Sequence, residues 1–324
     1  MSITRNCVEL LEAGSRYHVH YGDRLANHLP MVLIALDKLS AGPTELKHTF
    51  DRSTPHLQPR PGSPVQEITD ITECRNRDDL FPSALHYYEQ QLKHLGIAKC
   101  LQQELPKLLP AIATAAFHGL IRTAYGVDAR HLEEIAMGLA YWNLDYHELT
   151  SRTETTPAIA TAKEVIQRVT DKYPEIPLAP GNIADHMHSV TGQAGWMEAT
   201  IQPRLLGLED IAGVAIDAYL GTRDFTLLHG VTGCHALRLI LPYCTDQEAA
   251  LRYFWQGLVI AYLSTGPKTI QPVKSEVIKD IPQRQAEITE KALHSDDDHV
   301  IKLAYSALEE FHFYGNREYL QVFC

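Results

Sequence analysis

The chain has 324 residues, 45% of them hydrophobic and 21% charged, and its 29 Lys plus Arg stand against 40 Asp plus Glu, a net charge of -11. That composition is globular and supplies material for a large core, which excludes a disordered chain. The negative balance, with no basic run interleaved with aromatics, argues against nucleic acid and anionic membrane surfaces as partners.

The N-terminal stretch MSITRNCVELLEAGSRYHVHYG lacks a basic segment followed by a long apolar core and a cleavage site. No window reaches about 18 uninterrupted apolar residues, so a cytoplasmic, soluble protein is expected. Apolar residues at three- and four-residue spacing predict helices over 28–41, 83–104, 105–126, 131–147, 157–172, 209–220, 224–241, 246–265 and 297–313. No series of alternating short strands breaks that pattern. Between the helices, STPHLQPRPGSPVQEITDITECRNRDDLFPS and DKYPEIPLAPGN are rich in proline, which holds the preceding residue extended. The first is long enough to form a lid or an arm. The expected fold class is mostly α: a single all-helical domain, residues 1–324, with long Pro-rich connecting loops and an internal polar cavity. Six cysteines without C-x-x-C spacing are expected to be free thiols, mostly buried.

Three apolar stretches carry a histidine that composition does not explain. In NHLPMVLIALDKLSAG, Asn27 or His28 starts a helix, since Pro30 is tolerated only in a first turn. There the helix dipole lowers an imidazole pKa and favours its neutral, metal-binding form. In KLLPAIATAAFHGLIRTAYGV, a helical wheel puts Ala111, Thr114, His118, Ile121, Arg122 and Tyr125 on one face. A buried imidazole, guanidinium and phenol each need a partner, because an unpaired polar group costs roughly 1–3 kcal/mol. In FTLLHGVTGCHALRLILPY, Gly230 and Gly233 beside His229 suggest close approach of another backbone or a ligand, with His235 about 120° further round the helix. Gln256, in LRYFWQGLVIAYLSTG, is a further polar group in an apolar segment. Each histidine taken alone also fits a hydrogen-bonded core residue. His186 and His188 fit an exposed turn or helix start; His48, His56, His94, His294 and His299 sit in polar surroundings and fit solvated positions. The chain has no G-x-G-x-x-G after a strand, no G-x-x-x-x-G-K-[ST], no G-x-S-x-G and no H-E-x-x-H.

NHLPMVLIALDKLSAGPTEL, AFHGLIRTAYGV, FTLLHGVTG and DDDHVIKLAYSALEE resemble, in that order, the motifs of the questin oxidase-like family, over nearly the whole chain. The resemblance implies a helical protein that oxidises an aromatic or quinone-like small molecule with O2. It further implies a mononuclear non-heme iron held by several histidines and a carboxylated lysine. The matching histidines are His28, His118 and His229. Arg122 stands where family members carry a second histidine, and Gln256 where they carry a lysine after tryptophan. Neither residue type serves as the ligand it replaces. The expected metal ligands are therefore His28, His118 and His229, binding Fe(II), with His235 and Gln256 as weaker candidates. Arg122 and Tyr125 are expected to orient substrate or stabilise an oxyanion. NADPH is implied by the resemblance alone, without a nucleotide motif. The alternative is a metal-free small-molecule-binding protein or cofactorless enzyme using the same His/Arg-lined cavity. A helical scaffold for protein partners, the third reading, requires a large exposed apolar patch.

Overall fold

The computed structural model describes residues 2–149, 161–193, 196, 202–266 and 278–324. Among these residues the regular structure is almost all helix, with one two-stranded hairpin pairing His20–Tyr21 and Leu25–Ala26. No helix of the described residues is long and apolar enough to cross a membrane. The chain divides into two compact units.

The first unit is built from three separate pieces: Met1–Leu101, His118–Tyr146 and Val277–Cys324. It contains α1 (Arg5–Gly14), α2 (Leu29–Lys38), α3 (Pro43–Ser53), most of α4 (Phe81–Leu108), α5 (His118–Ala129) and α6 (Leu132–Leu144). Its last piece adds two helices whose labels follow those of the second unit. Leu29 to Asp37 are all buried in α2, so this helix runs through the core, each large aliphatic side chain contributing about 1.5–3 kcal/mol. Its start is set by Asn27, whose Oδ1 accepts from Leu29 N at 3.1 Å, with His28 at the N-cap and Pro30 in the first turn.

α5 and α6 form a tight antiparallel hairpin. Arg130 turns the chain in the left-handed region (φ 54), and the His131 ring caps α6 by accepting from Glu134 N. The backbones touch at glycines. A Cβ on Gly138 would lie 2.5 Å from Thr123 N, and one on Gly119 would lie 2.7 Å from Trp142 Cα.

The second unit comprises Gln102–Phe117 and His147–Glu276, with α7 (Ala162–Lys172), α8 (Ile183–Thr191), α9 (Leu208–Thr222), α10 (Phe225–Ile240) and α11 (Gln247–Leu263). Side-chain caps start these helices: Thr161 and Asn182 make capping boxes for α7 and α8, and Asp224 and Asp246 cap α10 and α11. The two helices that complete the first unit are α12 (Ile281–Leu293) and α13 (Asp298–Tyr314), the latter begun by Asp297 and ended at Gly315 in the left-handed conformation.

Three expectations are corrected. The helix over 105–126 is broken: after Pro106 and Pro110, residues 109–111 and 114–117 form 3-10 turns, and Ala115, Ala116 and Phe117 take positive φ values of 48, 52 and 67. His118 therefore begins a helix, and Ala111 and Thr114 do not share its face. The glycines of α10 meet side chains rather than another backbone: Leu258 at Gly230, and Phe254 and Phe117 at Gly233. Helices α1, α3, α8 and α12 are additional to the expected set. Residues 157–160 of the expected 157–172 helix lie outside the described residues.

The proline-rich stretch after α3 is pinned to the first unit. Tyr17 bridges Pro59, Gln66 N donates to Ser83 Oγ, and Asn76 bonds the Leu144 and Tyr146 carbonyls while Arg75 lies over the Tyr146 ring. Five cysteines are buried free thiols and Cys324 is exposed.

Candidate active site

Within the first unit, the start of α2 meets the start of α5. His28 Nε2 and His118 Nε2 are 2.8 Å apart, and their rings stack at 4.9 Å with an interplanar angle of 15°. A separation of that length requires one imidazole to donate and the other to accept, because two N–H groups cannot face head to head. It is also close to the separation, roughly 2.9 Å, of two cis imidazoles each about 2.0–2.1 Å from one ion. Thus the pair fits a shared proton or a shared cation.

The other side of His28 is closed by the first turn of α13. Asp298 Oδ2 is 3.7 Å from His28 Nδ1, an ion-pair approach too long for a hydrogen bond, while Asp298 Oδ1 accepts from Arg52 Nη2 at 3.0 Å. The His299 ring packs edge-on to His28 at 4.7 Å, and its Nδ1 faces Asp297 at 3.3 Å. His299 is thus part of this cluster and not a solvated surface residue. A carboxylate behind one nitrogen of a histidine orients the ring and raises the basicity of the other nitrogen.

One turn beyond Asp298, Lys302 is fully buried, and its Nζ has no hydrogen-bond partner. Burial pulls its amine down to about 7, against the opposing pull of Asp298 and Asp297. An unpaired buried ammonium is so costly that such a lysine is retained only in neutral form or with a partner still to be supplied. Sequence reasoning missed Asp298, His299 and Lys302. The apolar stripe of α13, Ile301, Ala304, Tyr305 and Leu308, does not include Lys302, which is buried because every residue from Ile301 to Leu308 is enclosed.

Arg122 is committed elsewhere. Its Nε and Nη2 donate to Glu134 Oε2 and Oε1 at 2.9 and 3.3 Å, both residues being buried, which leaves only Nη1 without a partner. The planar fork that would grip a substrate anion is occupied by a protein carboxylate. Tyr125 is buried, with its hydroxyl 3.3 Å from Ser306 Oγ, and burial pushes its phenol well above the ordinary range.

The remaining expected site residues lie in the second unit. His229 is buried in α10, and its Nδ1 is 3.0 Å from the Phe225 carbonyl one turn earlier. That bond fixes the proton on Nδ1 and makes Nε2 the lone-pair nitrogen, the tautomer a metal ligand uses. His235 is buried with Arg238 Nη2 at 3.4 Å from its Nδ1. Gln256 is buried in α11 and is not without a partner. Exposed His188 turns its Nδ1 to the Ala184 carbonyl.

Among the described residues, no group of three or more His, Cys, Asp and Glu side chains could hold a metal ion. A third donor beside His28 and His118 would have to be of another type.

A search of curated proteins returns no match. The family model described as Questin oxidase-like matches residues 25–202 and 209–307, a span that contains His28, His118, Asp298, His299 and Lys302. With most of its length matched, the chain belongs to the Questin oxidase-like family.

Proposed function

We propose that the chain is an oxygen-using oxidase whose iron is held in the first unit by His28 and His118, with Lys302 as the third donor in carboxylated form. The family suggests an oxidase acting on aromatic, polyketide-like substrates; use of O2, iron and the ligand set are the added steps. The observation that carries them is the convergence at 2.8 Å of the Nε2 atoms of buried His118 and part-buried His28, with α13, which sets Asp298 behind His28, burying a lysine whose Nζ has no hydrogen-bond partner. In this reading α13, with Lys302, and not the position of Gln256 provides the lysine that the family resemblance implies.

Carboxylation answers the problem posed by Lys302. The neutral amine adds to CO2, a C–N bond forms as one C=O π bond opens, one N–H proton leaves, and the resulting carbamate carries a single negative charge shared by two oxygens of the kind that suit iron. When bound, iron would supply activation of oxygen for oxidation of the aromatic substrate. The chain's own residues then have plain duties. Asp298 stands behind the His28 ring as its ion-pair neighbour, Arg52 holds Asp298, and the helices α2, α5 and α13 leave His118 buried and His28 only slightly exposed.

The test is elemental analysis of protein purified without chelators or a metal-binding tag, together with 13C NMR after equilibration with labelled bicarbonate. Wild-type protein should carry near-stoichiometric iron and one carbamate signal. His118→Ala should lose the iron, and Lys302→Ala should lose both. Wild-type protein that stays metal-free on anaerobic reconstitution with Fe(II) would overturn the proposal.

A further inference from the structure

Two turns beyond the His28–His118 pair, the same helices carry a second polar assembly. Tyr125 lies seven residues after His118 on α5, and Tyr305 lies seven residues after Asp298 on α13, each about 10 Å along its helix axis at 1.5 Å per residue. Their rings meet edge to face at 5.7 Å. The Tyr305 hydroxyl donates to Asp128 Oδ2 at 2.6 Å, and Asp128 Oδ1 receives Lys38 Nζ at 3.0 Å. Tyr125 is fully enclosed and Tyr305 nearly so, whereas the side chains of Lys38 and Asp128 are partly exposed. The assembly therefore runs from the interior toward the surface in the order Tyr125, Tyr305, Asp128, Lys38.

A buried tyrosine held against a carboxylate has a specific capability. Burial and the Asp128 carboxylate push the Tyr305 phenol far above its ordinary range, so it does not ionise by itself. Removing an electron reverses that preference, because a phenol radical cation is a strong acid, and the short bond to Asp128 offers its proton an immediate acceptor. We infer that Tyr305 is a one-electron redox site, with Asp128 as its proton acceptor and the Tyr125 ring as the stepping stone toward the buried end of α5 and α13. In the forward step a one-electron oxidant, such as an organic peroxyl radical, takes an electron from Tyr305 and becomes the peroxide anion. The O–H bond breaks, the proton moves to Asp128 Oδ2, and a neutral phenoxyl radical remains. In the return step a thiol or ascorbate at the surface supplies one electron, and Asp128 gives the proton back.

The purpose of the site rests on the oxidase reading: in an enzyme that handles oxygen, such a route would draw a stray oxidising equivalent away from the histidines. The chemistry does not rest on it. The probe is photogenerated ruthenium(III) tris-bipyridyl, applied to the full chain without iron or substrate and read by the phenoxyl absorption band and by electron paramagnetic resonance.

The chain has 15 tyrosines, so the informative quantity is the component that disappears on substitution. Wild-type protein should show a long-lived phenoxyl component that falls at least tenfold in Tyr305→Phe. In Asp128→Asn its lifetime should shorten about tenfold, because the amide cannot hold the proton. Thermal melts of both variants establish that each is folded. Folded Tyr305→Phe and Asp128→Asn proteins with wild-type phenoxyl yield and lifetime would overturn the inference, whatever the iron analysis shows.

Discussion

HGLIRTAYG in α5 and HGVTGCHA in α10 look alike: a histidine, then glycines, in an apolar run. The two helices use these residues in opposite ways. In α5 the glycines bring backbones together, Gly119 against Trp142 and Gly126 against Ile135, and His118 faces another histidine from across the unit. In α10 the glycines make room for Leu258, Phe254 and Phe117, and His229 is satisfied by its own helix through the Phe225 carbonyl. The first helix points His118 at an imidazole of another helix, and the second turns the Nδ1 of His229 to a carbonyl of its own backbone. The lesson is that a histidine in a greasy helix acquires its meaning from where its second nitrogen points, which composition does not encode.

The contrast breaks most visibly at the buried ion pair behind α5. Arg122→Ala strands the Glu134 carboxylate, and the expected loss is about 3–5 kcal/mol in denaturant unfolding. The double replacement Arg122→Met, Glu134→Leu should recover most of it, since an apolar pair of similar volume tolerates the site. A single variant within about 1 kcal/mol of wild type would mean that water or another group already serves Glu134.

Glycine substitutions sharpen the comparison next. Gly138→Ala pushes a methyl into Thr123 backbone atoms 2.5–2.6 Å away, and the loss should be about 3 kcal/mol, the upper end for overpacking. Gly230→Ala meets only the Leu258 methyl at 2.9 Å, a flexible end, and should stay within about 1 kcal/mol of wild type, offset by better helix propensity. Equal penalties at the two positions would erase the distinction between backbone and side-chain contact.

A smaller effect belongs to His18. Its Nδ1 accepts from His20 N at 3.3 Å and its ring packs on Phe81. Burial first, then the neighbouring His20, lowers it to about 4 from an unfolded value of 6.5. Between those values the unfolded chain binds the extra proton, so the stability this group permits is complete above pH 6.5 and is lost as pH falls toward 4. The cost is on the order of 2 kcal/mol. His18→Gln should flatten the unfolding free energy across that window, and an unchanged slope would assign the acid sensitivity to other groups.

Much of the architecture was legible in the sequence. α2, α6, α10, α11 and α13 announce themselves through broad apolar stripes with capping residues at their starts. The helices that escaped notice, α3 and α12 among them, are mostly polar and bury few residues, so their periodicity is faint. The break before His118 was hidden for a different reason. Ala115 and Ala116 are good helix formers in the left-handed region, and only Pro106 and Pro110 hinted at a stop. At the site, His28 and His118 stood out as imidazoles in apolar runs. Lys302 did not, because a lysine off the apolar stripe is ordinarily discounted as reaching for solvent.

The three-piece construction of the first unit has a consequence for how the protein comes into being. α2 emerges from the ribosome first, α5 next, and α13 only after the second unit has been made. The imidazole pair can meet at mid-synthesis, but Asp298, which stands behind His28, arrives last. Folding that depends on so distant a closure is slow and exposed to error. Its consequence is one of timing: the contact of Asp298 with His28 cannot form before the second unit has been made.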